Sequence, residues 1–223
     1  MNSGDYGRFV AESQGRAPAF PDVVTWTGMP VYYAYPERSP VHPADLRRHL
    51  AASCRYVGAI PVSILLHTSL AVQLARAWQL DERTLQLVAV HDLHEAYVPD
   101  LPSRLKPLVS GWRGLERAWE NHVHRCLGVP TPSEAKRELI RDIDLACLVA
   151  EMHYHEHPGL RLVTQRHSFE RAERLKRERP RFYYELNDAW HRTSDLTDDQ
   201  RWADLMSIVP ALGLDEPLLP RPA

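Results

Sequence analysis

The sequence predicts a mainly α-helical, essentially all-α protein: a helical bundle with a short extended or hairpin element near its N-terminus. Two observations lead to this prediction. Apolar residues recur at helical spacing along most of the chain beyond residue 43, and β-branched and aromatic residues are concentrated in residues 23–36. Of the 223 residues, 44% are hydrophobic and 25% are charged, a balance typical of an ordinary globular protein.

The N-terminal part of the chain divides into two segments. Residues 1–22 are rich in Gly, Ser, Ala and Pro, and we expect a flexible arm. Residues 23–36 contain a T-G-M-P turn signal and predict a short hairpin or an extended strap. We assign residues 23–191 to one domain and residues 192–223, whose end is rich in Leu and Pro, to a C-terminal extension.

Helices follow from Pro43, a residue that suits the first position of a helix. Asp81 is a predicted N-cap, Ser133 and Lys136 stand at the predicted start of a further helix, and Gly128 with Pro130 is a predicted helix end. The expected helices cover residues 43–57, 61–79, 82–97, 111–127, 133–155 and 168–191, the last with a break near Pro180.

Charge and cysteine usage exclude several classes of protein. The net charge of −2 lacks the basic excess of proteins that bind nucleic acid polymers. Cys54, Cys126 and Cys147 form no CxxC pair, so we expect neither a disulfide framework nor a thiolate zinc site, which fits the cytoplasm. No apolar run reaches about 18 residues and the N-terminus has no apolar signal region, so we expect no membrane span.

His91 and Asp92 are the strongest chemical signal, because this polar pair ends an apolar helical run. Burying such a pair is unfavourable unless the two groups have partners, and a metal ion is an efficient one. Glu95 lies on roughly the same side of that helix. His67 and Asp144 stand in other apolar helices and complete a set of two imidazoles and two carboxylates. Such a set suits one divalent transition metal, namely Mn, Co, Fe, Ni or Zn, with Mg as a further option.

The order of these residues resembles that of the HD phosphohydrolase superfamily, and most closely its branch of bacterial 5′-deoxynucleotidases and phage-type dATP triphosphohydrolases. The resemblance spans residues 25–155. Pro99 stands where that branch usually has Gly, and Thr68 replaces a usual Ser. The matching positions are Arg55-Tyr56, His67-Thr68, His91-Asp92 with Glu95, Asp100-Leu101-Pro102, Leu105-Lys106, and Asp144 with Glu151 seven residues later.

The resemblance implies hydrolysis of a nucleotide, most simply a (deoxy)nucleoside mono- or triphosphate, by water that the metal activates. Glu95 would position or deprotonate that water, and Asp100 would orient it or protonate the leaving oxygen. Arg55 and Lys106 would neutralise phosphate charge, and Tyr56 would contact the sugar or the base. Family members commonly assemble, so the resemblance also implies a homo-oligomer.

Several alternatives stay open. Asp142 competes with Asp144 as a ligand, although the spacing to Glu151 favours Asp144. A diiron oxygenase on the same scaffold would need His122 or His124 to turn inward, whereas we expect both to face solvent on a charged helix. The third alternative is a non-catalytic nucleotide sensor. We expect no metal site at the His153, His155 and His157 run, because alternate residues do not share a helix face.

Overall fold

The computed structural model describes residues 20–102, 104–156 and 166–220. Within these ranges it contains eight α-helices and a two-stranded hairpin, which confirms the mainly α class with a short N-terminal hairpin. Most of the predicted N-terminal arm lies outside the described residues. The elements are β1 (Val23–Val24), β2 (Pro30–Val31), α1 (Pro43–Ala52), α2 (Ile64–Ala77), α3 (Glu82–Val90), α4 (Trp112–Leu127), α5 (Glu134–Tyr154), α6 (Arg166–Glu178), α7 (Phe182–Ser194) and α8 (Asp198–Ile208).

The hairpin is fastened to the first helix by a buried carboxylate. Strands β1 and β2 pair antiparallel, and Gly28 takes the left-handed φ of +87° that the turn between them requires. The hydroxyls of Thr25 and Thr27 each donate to Oδ2 of Asp45 at 2.6 Å. Because Asp45 is fully buried, these bonds replace the water that it loses on folding.

The helix ends follow the predicted signals at three points. Asp81 caps α3 by accepting from the Thr84 N–H, and Ser133 caps α5 by accepting from the Lys136 N–H. Gly128 ends α4 with a left-handed φ of +70°. The expected break near Pro180 separates α6 from α7.

Two helices are shorter than the periodicity predicts. The first stops at Ala52 rather than residue 57, because Ser53 is extended and Cys54 forms a β-bridge with Ser63. Helix α3 stops at Val90 rather than residue 97, and a short 3₁₀ helix over Leu93–Ala96 follows. Both helices therefore end just before residues of the predicted site. Arg55 follows the end of α1, and His91 and Asp92 follow the end of α3.

Helix α2 lies at the centre of the bundle and contacts α1, α3, α5, α7 and α8. Leu65, Leu70 and Leu74 on it are fully buried. Helix α8 belongs to the segment that the sequence analysis assigns to a C-terminal extension, and its Trp202 and Leu205 lie in the same hydrophobic core. Among the described residues, every helix is too short or too polar to span a bilayer.

Candidate metal centre

Four side chains from three helical regions converge beside α2. His67 lies in the first turn of α2, His91 and Asp92 follow the end of α3, and Asp144 lies on α5. One ligand atom from each lies within 4.8 Å of the others, and in the described part of the chain this is the one such group that could hold a metal ion. The structure thus brings together all four ligands that the sequence predicts.

The choice between the two aspartates on α5 follows from their surroundings. Asp142 accepts hydrogen bonds from Arg171 and Arg174, so it faces α6. Asp144 Oδ1 lies 3.2 Å from Nε2 of His67. Asp144 is therefore the aspartate of the candidate centre.

Both histidines present their Nε2 atoms to this group. Nδ1 of His91 lies 2.7 Å from the carbonyl oxygen of Val88, which can only accept, so Nδ1 carries the proton. Nδ1 of His67 lies 2.6 Å from Oε1 of Glu151. Nε2 of His67 lies 3.2 Å from Asp144 Oδ1 and Nε2 of His91 lies 3.2 Å from Asp92 Oδ2, but neither contact has the geometry of a hydrogen bond. Unpartnered imidazole nitrogens that face carboxylates fit a divalent metal ion.

Glu151 organises this side of the centre, a role that the sequence analysis does not assign. It is fully buried and also accepts from the Tyr56 hydroxyl, while Nε of Arg55 lies 3.5 Å from its Oε2. Burial raises the pKa of Glu151, but the charges of His67 and Arg55 outweigh that effect and lower the pKa, so the carboxylate is ionised. Its position two turns after Asp144, within an apolar run, is the sequence signal for this role.

Arg55 places a permanent positive charge among the ligand carboxylates. Its Nη1 lies 3.3 Å from Asp92 Oδ2 and its Nη2 lies 3.2 Å from Asp144 Oδ1. Burial raises the pKa of both carboxyls, yet the imidazoles of His91 and His67 and the Arg55 charge lower it below its ordinary value. Both ligands are therefore ionised, as metal binding requires.

The pKa of His67 reflects the same concentration of charge. Burial and Arg55 lower this pKa, whereas Glu151 and Asp144 raise it more strongly, to about 9. At neutral pH the imidazole therefore carries a second proton unless another cation takes that place beside the carboxylates.

The loop that carries Arg55 has an unusual backbone. Tyr56 and Val57 both have positive φ values, of 55° and 56°. Left-handed backbone is uncommon outside glycine and costs about 1–3 kcal/mol, most of all for a β-branched residue. The Val57 side chain is 84% exposed, so no packing of that side chain compensates for the strain. The Tyr56 hydroxyl donates to Oε2 of the buried Glu151.

Glu95 lies on the short 3₁₀ helix next to the ligands. It is buried, and its Oε2 has no hydrogen-bond partner. Burial raises the pKa of Glu95 well above its ordinary value, and the negative charges of Asp92 and Asp100 raise it further. A carboxyl group with a raised pKa exchanges a proton near neutrality more readily than an ordinary one.

Asp100 and Lys106 form an ion pair on the loop between α3 and α4. Their Oδ1 and Nζ atoms lie 2.5 Å apart, and Nζ of Lys106 also lies 2.9 Å from Oε1 of Glu116 on α4. Burial raises the pKa of Asp100, and the negative charge of Asp92 adds to that rise. Glu116 is not among the predicted site residues, because no local sequence pattern shows that α4 faces this loop.

The prediction that His122 and His124 face solvent is wrong. Both are buried, and Nε2 of His122 lies 2.7 Å from the carbonyl oxygen of Ser39. The chain ahead of α1 covers this side of α4, which the charged pattern of the helix does not indicate. Within the described residues, neither histidine belongs to the metal-ligand group.

The histidine run at the end of α5 lies partly outside the described residues, which exclude His157. His153 is exposed and contacts the Tyr154 ring edge-on, and His155 packs edge-on against Trp190. These contacts are aromatic packing.

No protein-family model and no curated protein matches this chain. Two imidazoles and two ionised carboxylates suit a borderline divalent ion, and Glu95 adds a proton acceptor. Arg55 and Lys106 supply positive charge near that acceptor, because both charges act on the Glu95 carboxyl. Such a combination can bind an oxyanion beside a metal ion.

Proposed function

We propose that the chain is a divalent-metal-dependent phosphohydrolase of the HD superfamily, which acts on (deoxy)nucleoside mono- or triphosphates. One observation carries the proposal: two buried Nε2 atoms without hydrogen-bond partners face two ionised carboxylates within 4.8 Å. Glu95, Arg55 and Lys106 beside this group support hydrolysis of a phosphate. The resemblance of the motif order to nucleotidases of that superfamily supports the choice of substrate.

His67, His91, Asp92 and Asp144 would hold the ion. A bound divalent ion supplies positive charge that withdraws electrons from phosphorus and lowers the pKa of water. The Nδ1 contacts of His67 and His91 fix both rings, so their Nε2 atoms are oriented before an ion arrives.

The other residues move protons and balance charge. Glu95 would accept the proton of the attacking water, which its raised pKa favours. Asp100, whose pKa is also raised, would orient that water or protonate the leaving oxygen. Arg55 can donate two parallel hydrogen bonds to phosphate oxygens, and Lys106 would supply a compact positive charge.

The test is a product analysis with metal-stripped protein. Mn²⁺, Co²⁺, Fe²⁺, Ni²⁺, Zn²⁺ and Mg²⁺ are each added with every common dNMP and dNTP, and the products are separated by chromatography. Inorganic phosphate from a monophosphate marks a nucleotidase, and tripolyphosphate from a dNTP marks a triphosphohydrolase. We expect Glu95→Gln and Asp144→Asn to lose about 100-fold or more in kcat. Asp142→Asn is the matched control on α5 and should keep its activity.

Turnover of no nucleotide with any of these metals would overturn the proposal. Two irons per chain together with oxygen consumption would favour the oxygenase alternative. Tight nucleotide binding without turnover would favour the sensor.

We further propose that the protein is a cytoplasmic homo-oligomer. The resemblance supports assembly, and the absence of a CxxC pair, with Cys54, Cys126 and Cys147 all free, supports a reducing compartment. Light scattering of the purified protein tests the oligomeric state, because a monomer at micromolar concentration would contradict the proposed homo-oligomer.

A further inference from the structure

Lys106 is held between two carboxylates that come from different elements. Asp100 contributes Oδ1 at 2.5 Å and belongs to the same loop, whereas Glu116 contributes Oε1 at 2.9 Å and belongs to α4. The loop itself is exposed, since Leu108 next to this pair is 79% accessible. A lysine carries its charge on a flexible four-carbon stem, so a loop of this kind does not by itself fix the ammonium group.

Glu116 is the better anchor of the two carboxylates. Helix α4 runs over 16 residues, and its next turn contains Trp119, which is fully buried and stacks on Tyr97. The Glu116 side chain is only 16% exposed, compared with 44% for Asp100. A functional group is held more accurately by a packed helix than by an exposed loop.

We propose that Glu116 is a positioning residue, which acts through Lys106 to hold a positive charge at the phosphate side of the candidate centre. This inference deepens the proposed function and rests on it. Glu116 touches no reacting atom in this arrangement. It holds the Lys106 ammonium beside Asp100, and under the proposed function Lys106 binds a phosphate group of the substrate.

The chain offers a matched control one turn further along α4. Glu120 is 17% exposed and pairs with Arg137 at 2.8 Å, so its burial and its ion pair closely match those of Glu116. Arg137 belongs to α5 and is absent from the ligand group. A general effect of removing a half-buried carboxylate from α4 would appear in both variants, whereas a positioning effect would appear in Glu116→Gln alone.

The experiment combines kinetics with chemical labelling of Lys106. With the nucleotide and metal that give the highest turnover, we expect Glu116→Gln to raise KM roughly three- to tenfold with little change in kcat, since a phosphate contact from Lys106 would act in the ground and transition states alike. Glu120→Gln should match the wild type. Acetylation by an amine-selective reagent, followed by mass spectrometry, should be several-fold faster at Lys106 in Glu116→Gln than in the other two proteins.

The two readouts separate this inference from the proposed function. Equal KM values and equal labelling of Lys106 in all three proteins would overturn the positioning role and leave the hydrolase standing. If no nucleotide is hydrolysed, the proposed function fails. Labelling then decides whether Glu116 holds Lys106, and unchanged labelling would count against it. Equal changes in both variants would mark a structural effect of α4 and would also overturn the proposal.

Discussion

Glu151 connects three functional side chains at the scale of single residues. It accepts from the Tyr56 hydroxyl, lies 2.6 Å from Nδ1 of His67 and lies 3.5 Å from Nε of Arg55. The proposed metal ligand His67 and the proposed phosphate-binding residue Arg55 therefore depend on the same buried carboxylate. Loss of its charge should disturb metal binding even though Glu151 is not itself a ligand.

We expect Glu151→Gln to weaken metal binding by about 10- to 100-fold, the usual effect of removing a carboxylate that orients a ligating histidine. Glutamine has nearly the same shape, so the change removes charge rather than packing. Competition with a chromophoric chelator measures the affinity for Co²⁺ or Zn²⁺. Asp142→Asn on the same helix is the control, and equal affinities in the two variants would contradict this role for Glu151.

Single residues differed in how far the sequence could predict them. His67 and Asp144 stand out because each interrupts an apolar stripe, and the structure places both in the ligand group. Glu116 could not be found in this way, because its partner Lys106 lies on a separate loop and only the folded chain brings them together. The burial of His122 was missed for the same physical reason: Ser39, which covers it, is far away in sequence.

Capping signals predicted the elements better than periodicity did. Asp81, Ser133 and Gly128 all act where the sequence indicates. Periodicity overestimates both α1 and α3. Beyond α1 the apolar Val57 is exposed, and beyond α3 the apolar Leu93 is buried on a 3₁₀ helix rather than on a continuation of the α-helix. Helix α8 was not predicted, although Thr197 and Gln200 form a capping box that marks its start.

The cap of α8 tests whether this helix belongs to the cooperative unit. The Thr197 hydroxyl accepts from the Gln200 N–H, and Thr197→Ala removes that bond. We expect a loss of about 1 kcal/mol in the free energy of unfolding, because the Trp202 and Leu205 side chains of α8 are part of the common core. Urea unfolding followed by circular dichroism measures it. Thr197→Ser keeps the hydroxyl and should behave like the wild type. An unchanged global midpoint for Thr197→Ala would indicate that α8 folds separately.

The buried histidines of α4 make the stability of the whole molecule depend on pH. Burial lowers the pKa of His124 to about 4, and burial also lowers the pKa of His122. As the pH falls, each of these histidines binds a proton near pH 6.5 in the unfolded chain but only at a lower pH in the folded protein. The contribution of these histidines to the free energy of unfolding is therefore fully present above about pH 6.5, and it is lost as the pH is lowered towards 4.

Comparison with His124→Gln isolates this contribution. The variant cannot titrate at this position, so the difference in unfolding free energy between wild type and variant should shrink by about 1 kcal/mol from pH 7.5 to pH 5.5. Urea titrations at a series of pH values, with metal chelated throughout, provide the measurement. A difference that stays constant with pH would show that folding does not shift the pKa of His124.

The left-handed backbone at Val57 lowers the thermal stability of the protein. Asparagine tolerates this conformation and Val57 is 84% exposed, so Val57→Asn should raise the free energy of unfolding by about 1 kcal/mol without loss of packing. Thermal melting and nucleotide turnover, both compared with the wild type, measure the two effects. A melting temperature that does not rise would mean that the strain is small.

Selection for heat resistance should therefore favour changes in this loop early. The loop also carries Arg55, so variants that survive heating can be sorted by their turnover. If they hydrolyse substrate as fast as the wild type, the strained backbone at Val57 has no role in turnover. If they melt at a higher temperature but turn over substrate more slowly, the left-handed backbone at Val57 contributes to the proposed catalysis.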